Sequence, residues 1–340
     1  MLVTTLAYPR AGLVGNPSDA YFGRTIAFTF SDFSAQVEMW ESPELELLPS
    51  RRDHSVFQSI QHLHQDVQQH GYYGGFRLLK ATCKRFYDYC AEQGITLDDR
   101  NFTLRYRSDI PGRVGLAGSS AIITACLRAL MAFFSVQISR HALANLVLSV
   151  EQVELVIPAG LQDRVAQAYG GLTYMDFKQS LMEQRGYGEY LALDPRQLPP
   201  LYIAYHEMLS EGTEVLHNGL RARFLRGEKP VLAAIARWAE LAAETRALLQ
   251  ENVPGAPVPP ARLAALHALL NENFDLRASL CDLSQGNLDL VKTARQCGVS
   301  AKFAGSGGAI VGFMDSPAAL AVLEKAFADT DVRVFCPTLV

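Results

Sequence analysis

The densest chemical signal in the chain is IPGRVGLAGSSA at 110–121, running straight into the apolar stretch IITACLRALMAFF. Gly112, Gly115 and Gly118 remove side chains, so backbone amides can approach a ligand closely. Ser119 or Ser120 can cap the helix that follows. That helix start offers unpaired N–H groups and the positive end of its dipole, which together make an anion site. A serine hydroxyl there can also ligate a phosphate-bound Mg²⁺. The chemistry that needs these parts together is the binding of a phosphorylated ligand. The loop contains neither GxxxxGK[ST] nor a GxGxxG following a strand.

Three further segments carry groups of the same kind. In EQVELVIPAGLQDRVAQAYGG at 151–171, Pro158 to Gly160 break one helix and Asp163 stands near the start of the next. An acid placed there suits a base that takes a hydroxyl proton, or an anion that orients the hydroxyl. In YPRAGLVGNPSDAYFG at 8–23, Arg10 lies in a short apolar strand. Asn16, Pro17, Ser18 and Asp19 follow it as a polar turn able to bond sugar hydroxyls. In KFAGSGGA at 302–309, Gly305, Ser306 and Gly307 form a glycine loop between two expected strands. Taken singly, each segment also reads as an ordinary turn, helix cap or hairpin.

The elements that must position these groups mix strand and helix throughout. Alternation predicts strands at 25–30, 34–39, 44–48 and 101–107, and periodicity predicts helices at 55–69, 75–93, 119–134 and 141–155. The glycines and prolines of 185–200 predict an inter-domain connection. Beyond it come a strand at 201–205, helices at 230–250, 260–273 and 288–297, a strand-loop-strand unit at 302–314, a helix at 318–328 and a strand at 332–335. This order lacks the regular alternation of a doubly wound sheet.

Composition narrows the function classes. The chain has 340 residues, 49% of them hydrophobic and 19% charged, enough apolar material for a sizeable core. A formal net charge of −4 argues against a nucleic-acid partner. No apolar run is long enough to span a membrane, and MLVTTLAYPRAG does not read as a signal peptide. None of the six cysteines forms a CxxC pair, so they are expected as reduced thiols in a cytoplasmic setting. His62, His64 and His70 lie in a Gln/His-rich stretch that reads as a solvated helix face.

In this order the four segments resemble the GHMP kinase superfamily, which includes galactokinase, homoserine kinase and mevalonate kinase, over about residues 8–313. The loop at 111–121 is similar to that family's PxxxGLxSSA phosphate loop. It carries one residue more, because Ala117 and Gly118 both precede Ser119-Ser120. The resemblance implies an α+β fold of two lobes, a ribosomal-protein-S5-like lobe at 1–190 and a ferredoxin-like lobe at 191–340, with the active site between them. It implies nucleotide binding by Pro111, Gly112, Gly115, Leu116, Ala117, Gly118, Ser119 and Ser120. It also implies Mg²⁺ held by Glu151 and Ser120, with Ser119 as the alternative serine. Asp163 matches the acid of the galactokinase CGxxD segment, and Arg10 matches the basic residue paired with it. Substrate contacts fall to Asn16, Asp19, Arg24, Arg164, Gly305, Ser306 and Gly307.

The stretches GNPSDAYFGRT, GYYGGFRLL and AGLQDRVAQAYGGL are similar to plant-type glucuronokinases. That likeness implies phosphoryl transfer from ATP to the anomeric hydroxyl of D-glucuronate, giving glucuronate 1-phosphate for UDP-glucuronate synthesis. The partners would then be ATP and a small sugar acid. A uronate carboxylate calls for an arginine, for which Arg24, Arg77 and Arg164 are candidates, while Tyr72 and Tyr73 could frame a ring. Kinases of galacturonate, galactose, arabinose or a heptose would share the chemistry, and a non-catalytic sugar or nucleotide sensor would share the fold.

Overall fold

A computed structural model describes residues 2–50, 53, 58–61, 74–209 and 213–340. The first sheet has the order β1 (Leu2–Ala7), β4 (Ala35–Glu41), β6 (Phe102–Ser108), β5 (Glu46–Leu48). Its pairs are antiparallel except β5, which runs parallel to β6. Helix α2 (Gly118–Phe133) packs on β1 and β4, and α1 (Gly75–Glu92) packs on α2. The 3.6-residue period explains this seating: Ile123, Leu127 and Leu130 repeat at three- and four-residue intervals and are all buried.

The second sheet is antiparallel, in the order β2 (Arg10–Val14), β3 (Arg24–Thr29), β7 (Leu172–Asp176), β8 (Glu189–Leu193). Nearly every consecutive residue of β2, β3 and β7 is buried, so both faces are covered. The covering elements are α4 (Gln162–Tyr169) and α7 (Lys229–Gln250), one from each half of the chain. Trp238 of α7 is fully buried, and its indole N–H donates to Asn273 O at 3.0 Å.

The third sheet, β10 (Lys302–Phe303), β11 (Ala309–Phe313), β9 (Leu201–Tyr205), β12 (Arg333–Phe335), is also antiparallel. Helix α8 (Pro260–Leu280) packs on β10, β11 and β2. Leu290 of α9 (Gln285–Gln296) and Leu323 of α10 (Ala319–Ala326) close a second core around Tyr202 and Phe303.

The α+β expectation agrees with this architecture, and most expected elements are present within a few residues. Strands β1 and β7 and helices α5 (Gln179–Arg185) and α6 (Thr213–Leu225) were not expected. The segment 185–200 is more than a connection, because it carries β8 on the edge of the second sheet. A boundary at 190 therefore falls inside a strand. Gly186, Gly188 and Pro195 bracket five residues whose short alternation is hidden among turn formers. Helix 141–155 ends as α3 (Arg140–Ser149), followed by one π-turn at Val150–Glu154. The helix expected at 55–69, the three clustered histidines and Tyr72 and Tyr73 lie outside the described residues, apart from 58–61. Among the described residues no helix is long and apolar enough to cross a membrane.

Candidate active site

One cavity of about 420 Å³ gathers groups from all four signal segments. The glycine–serine loop enters it from β6. Arg113, Gly115 and Ala117 all adopt left-handed backbone there, with φ of 61°, 75° and 61°. Ala117 is the residue that turns the chain into α2. The N–H groups of the first turn therefore have no intrahelical acceptor, the condition under which a helix start can hold an anion. A Cβ on Gly115 would lie 2.7 Å from Ser306 N, and one on Gly305 would lie 2.1 Å from Gly115 O. The two glycine loops thus touch backbone to backbone, which only glycine allows.

Arg10 joins these loops to the acid. Its Nε donates to Asp163 Oδ1 at 2.6 Å, and its Nη1 donates to Gly115 O and Ala304 O, each at 2.8 Å. The guanidinium is almost wholly buried, so its position is set by these three oxygens. Arg164 Nη1 lies 3.2 Å from Asp163 Oδ2 on the other side. Asp163, on the first turn of α4, is therefore bracketed by two cations while still lining the cavity.

Glu151 sits in the π-turn, a single-turn irregularity common at functional sites. It is 1% exposed, and its Oε2 accepts from Nε of Arg164 at 2.7 Å and also from Nη2. Its Oε1 accepts from Ser119 Oγ at 2.8 Å. This corrects the serine register. Ser120 is fully buried, off the cavity wall, and donates to Ala117 O at 3.1 Å. The serine facing Glu151 is Ser119.

Asn16 and Asp19 line the same cavity from the turn after β2, next to a cis Asn16–Pro17 bond. Asp19 keeps some surface toward the cavity but is enclosed by protein elsewhere, and its Oδ2 accepts from Gln162 N at 3.3 Å. Burial first, then the negative charge of Asp163, raises its pKa to about 6. Above the ordinary 3.8, this means that the folded chain holds the proton more tightly than the unfolded chain. Stability therefore falls as pH rises from about 4 to about 6, by on the order of 1–3 kcal/mol. An Asp19→Asn variant escapes this loss. Its melting temperature relative to wild type should be higher at about pH 8 than at about pH 5. The same difference at both values would show that burial does not strain the carboxylate.

Other expected contacts divide. Arg164, Gly305 and Ser306 line the cavity. Gly307 does not, since its φ of 152° turns it toward Asn287. Arg24 does not either. Its register on β3 places it opposite Asp176 of β7, and its Nε donates to Asp176 Oδ2 at 2.8 Å. Arg77 lies off the wall as well.

Two buried cations were not foreseen. Arg277 lines the cavity and donates to Gly305 O at 2.7 Å and Ser306 O at 2.5 Å. Lys302 is 1% exposed, with Nζ 2.7 Å from each of Gly12 O, Asn16 Oδ1 and Phe303 O. Burial, then the charges of Arg277 and Arg10, pushes Lys302 well below the usual lysine range. A signal for Arg277 existed: Leu266, Leu270, Asn273 and Arg277 repeat on the buried face of α8, and polar groups on such a face call for partners. Leu78, Tyr106, Ile110 and Ile122 also line the cavity, and Tyr106 Oη donates to Asp53 Oδ2 at 2.7 Å.

The donor set also suits a hard cation. Ser119 Oγ and Glu151 Oε1 are adjacent oxygen donors beside the glycine–serine loop, and Mg²⁺ commonly takes one or two protein oxygens beside substrate phosphates. Among the described residues no group of three or more His, Cys, Asp or Glu forms an all-protein metal cage.

Residues 77–171 match the family described as GHMP kinases N terminal domain. Over 328 residues the chain is 43% identical to probable glucuronokinase 2 of Arabidopsis thaliana, covering 94% of this chain and 86% of that protein. It is 42% identical over 327 residues to glucuronokinase 1 of the same plant, covering 94% and 87%. The fold matches the crystal structure of Methanococcus jannaschii mevalonate kinase with a TM-score of 0.70 and 18% identity, over 100% of this chain and 98% of that one.

Proposed function

The chain belongs to the GHMP kinase family, and on that premise we propose that it transfers the γ-phosphoryl group of ATP to the anomeric hydroxyl of D-glucuronate, giving glucuronate 1-phosphate and ADP. The observation that carries this reading is the near-full-length likeness to two proteins named as glucuronokinases. It is supported by a cavity in which an arginine-held aspartate faces a glycine–serine anion loop.

Phosphoryl transfer asks for positioning and charge stabilisation more than for covalent chemistry. In this reading the α2 start and the glycine loop cradle the ATP phosphates. The side chains of Leu78, Ile110 and Ile122 on the cavity wall offer the base an apolar surface. Ser119 and Glu151 would hold Mg²⁺, which would supply neutralising charge to the phosphates when bound. Arg164 keeps one Glu151 oxygen in place and leaves the other facing Ser119. Asp163 orients the anomeric hydroxyl and accepts its proton, and Arg10 fixes the carboxylate against both loops. Asn16 and Asp19 bond sugar hydroxyls. Arg10, Arg113, Arg164 and Arg277 line the cavity beside four carboxylates, and one of these arginines would read the uronate carboxylate. We place the reaction in the cytoplasm, where six free cysteines stay reduced.

The test is ADP release with Mg-ATP against glucuronate, galacturonate, glucose, galactose, arabinose and mevalonate. Turnover with glucuronate far above the others is expected. Preference for a neutral sugar would keep the mechanism and remove the substrate. No turnover with any of them would count against the whole reading.

A further inference from the structure

A second cleft, also of about 420 Å³, shares no lining residue with the active-site cavity. Its walls include Tyr8, Arg128, Arg140, Gln167 and Tyr169. Arg128 of α2 uses Nη1 on Leu6 O and Nη2 on Gln167 O, each at 2.7 Å. A guanidinium has five N–H donors, so three are left over. Arg140, at the start of α3, lies with its guanidinium carbon 5.8 Å from the Tyr169 ring centroid and is exposed. Burial, followed by the like charge of Arg140, pulls Arg128 below its ordinary value, and no carboxylate acts against that shift. The Val340 carboxylate also borders the cleft, but one of its oxygens already accepts from Thr29 Oγ1 and Gly171 N, and among the described residues it makes no ion pair with Arg128 or Arg140.

Two guanidiniums facing one concave space, with no acid paired to either among the described residues, is an arrangement that an oxyanion relieves. Other surface arginines divide: Arg196, Arg226 and Arg237 each sit on a carboxylate, while Arg185 bonds the carbonyl oxygens of Tyr187 and Gly188. The cleft also touches the catalytic parts through one side chain. Gln167 is buried, and its Nε2 donates to Tyr8 O at 3.1 Å and to Ala117 O at 2.9 Å. Ala117 is the left-handed residue that starts the anion loop's helix.

We infer that this cleft is a second, non-catalytic binding site for a small oxyanion, a phosphate or carboxylate group held between Arg128 and Arg140 and connected to the phosphate loop through Gln167. The tyrosine rings at its walls would flank whatever carries the anionic group.

Isothermal titration calorimetry on the full chain tests this. The nucleotide site is first saturated with a non-hydrolysable ATP analogue and Mg²⁺, in a buffer free of other oxyanions. Inorganic phosphate and succinate are the probes. Saturable binding of either is expected in the wild type, and the stronger probe identifies the group recognised. Arg140→Ala, a change at an exposed residue that removes no hydrogen bond among the described residues, should weaken it roughly tenfold or more, the loss of one charge-assisted contact. Arg140→Lys should recover part of the loss. Absence of saturable binding in the wild type, or equal binding in wild type and Arg140→Ala, would overturn the inference.

Discussion

Replacing Asp163 with asparagine is expected to lower kcat by about 10²–10⁴-fold, the range lost when a positioned general base is removed. The substitution is nearly isosteric. Asparagine can still accept the Arg10 bond through its oxygen, so the contacts from Arg10 to Gly115 O and Ala304 O should persist. The chain should therefore fold and bind ATP with little change, while melting lower than the wild type because the buried Arg10 guanidinium loses its charged partner. What disappears is the negative charge that orients the acceptor hydroxyl and takes its proton. Steady-state kinetics with a circular dichroism melt separate these effects. A variant within tenfold of wild-type kcat would remove Asp163 from the chemistry and leave it a structural partner of Arg10.

The second large effect is expected from Arg164→Met. Glu151 is almost fully enclosed, and Arg164 supplies most of its hydrogen bonds. Removing the guanidinium leaves a buried carboxylate with only the Ser119 hydroxyl. Breaking a buried pair in this way costs roughly 3–5 kcal/mol, more than keeping the pair contributes over an apolar replacement. At roughly 2–4 °C per kcal/mol for larger domains, the melting temperature should drop by about 6–20 °C. A paired Glu151→Gln/Arg164→Met variant should regain part of that stability, since the unpaired charge is gone. It should remain poorly active, because it lacks the carboxylate assigned to Mg²⁺. Full stability in the single variant would mean that water or another donor reaches Glu151.

Both expectations rest on groups visible in the sequence, but with different completeness. Asp163 was legible as an acid on a helix start, whereas the roles of Arg10 and Glu151 came only with the family resemblance. Their mutual geometry was not legible, because Arg10 lies 153 residues from the acid it bonds. The choice between Ser119 and Ser120 depends on where the helix begins. That is decided by the left-handed turn at Ala117, which sends Ser119 to Glu151 and Ser120 into the core. Arg24 was credited for its neighbours in sequence, yet strand register delivered it to Asp176. The unexpected β1 and β7 are short strands whose burial comes from pairing with distant partners, Ala35–Glu41 for one and Arg24–Thr29 for the other.

By itself the sequence determined the local grammar: the glycine loop that feeds an apolar helix, the acid on a helix start, the alternating strands and the amphipathic helices. Each is a property of neighbours within one or two turns, where backbone freedom and side-chain period are dictated by residue type. Only the tertiary structure decided which groups meet. It pressed Gly305 against Gly115, buried Lys302 beneath Asn16, put Arg277 behind the second glycine loop and left Arg128 facing Arg140. The physical reason is that such contacts join residues far apart in the chain. Their positions follow from how three sheets and their helices pack into a shared core, which no local spacing encodes.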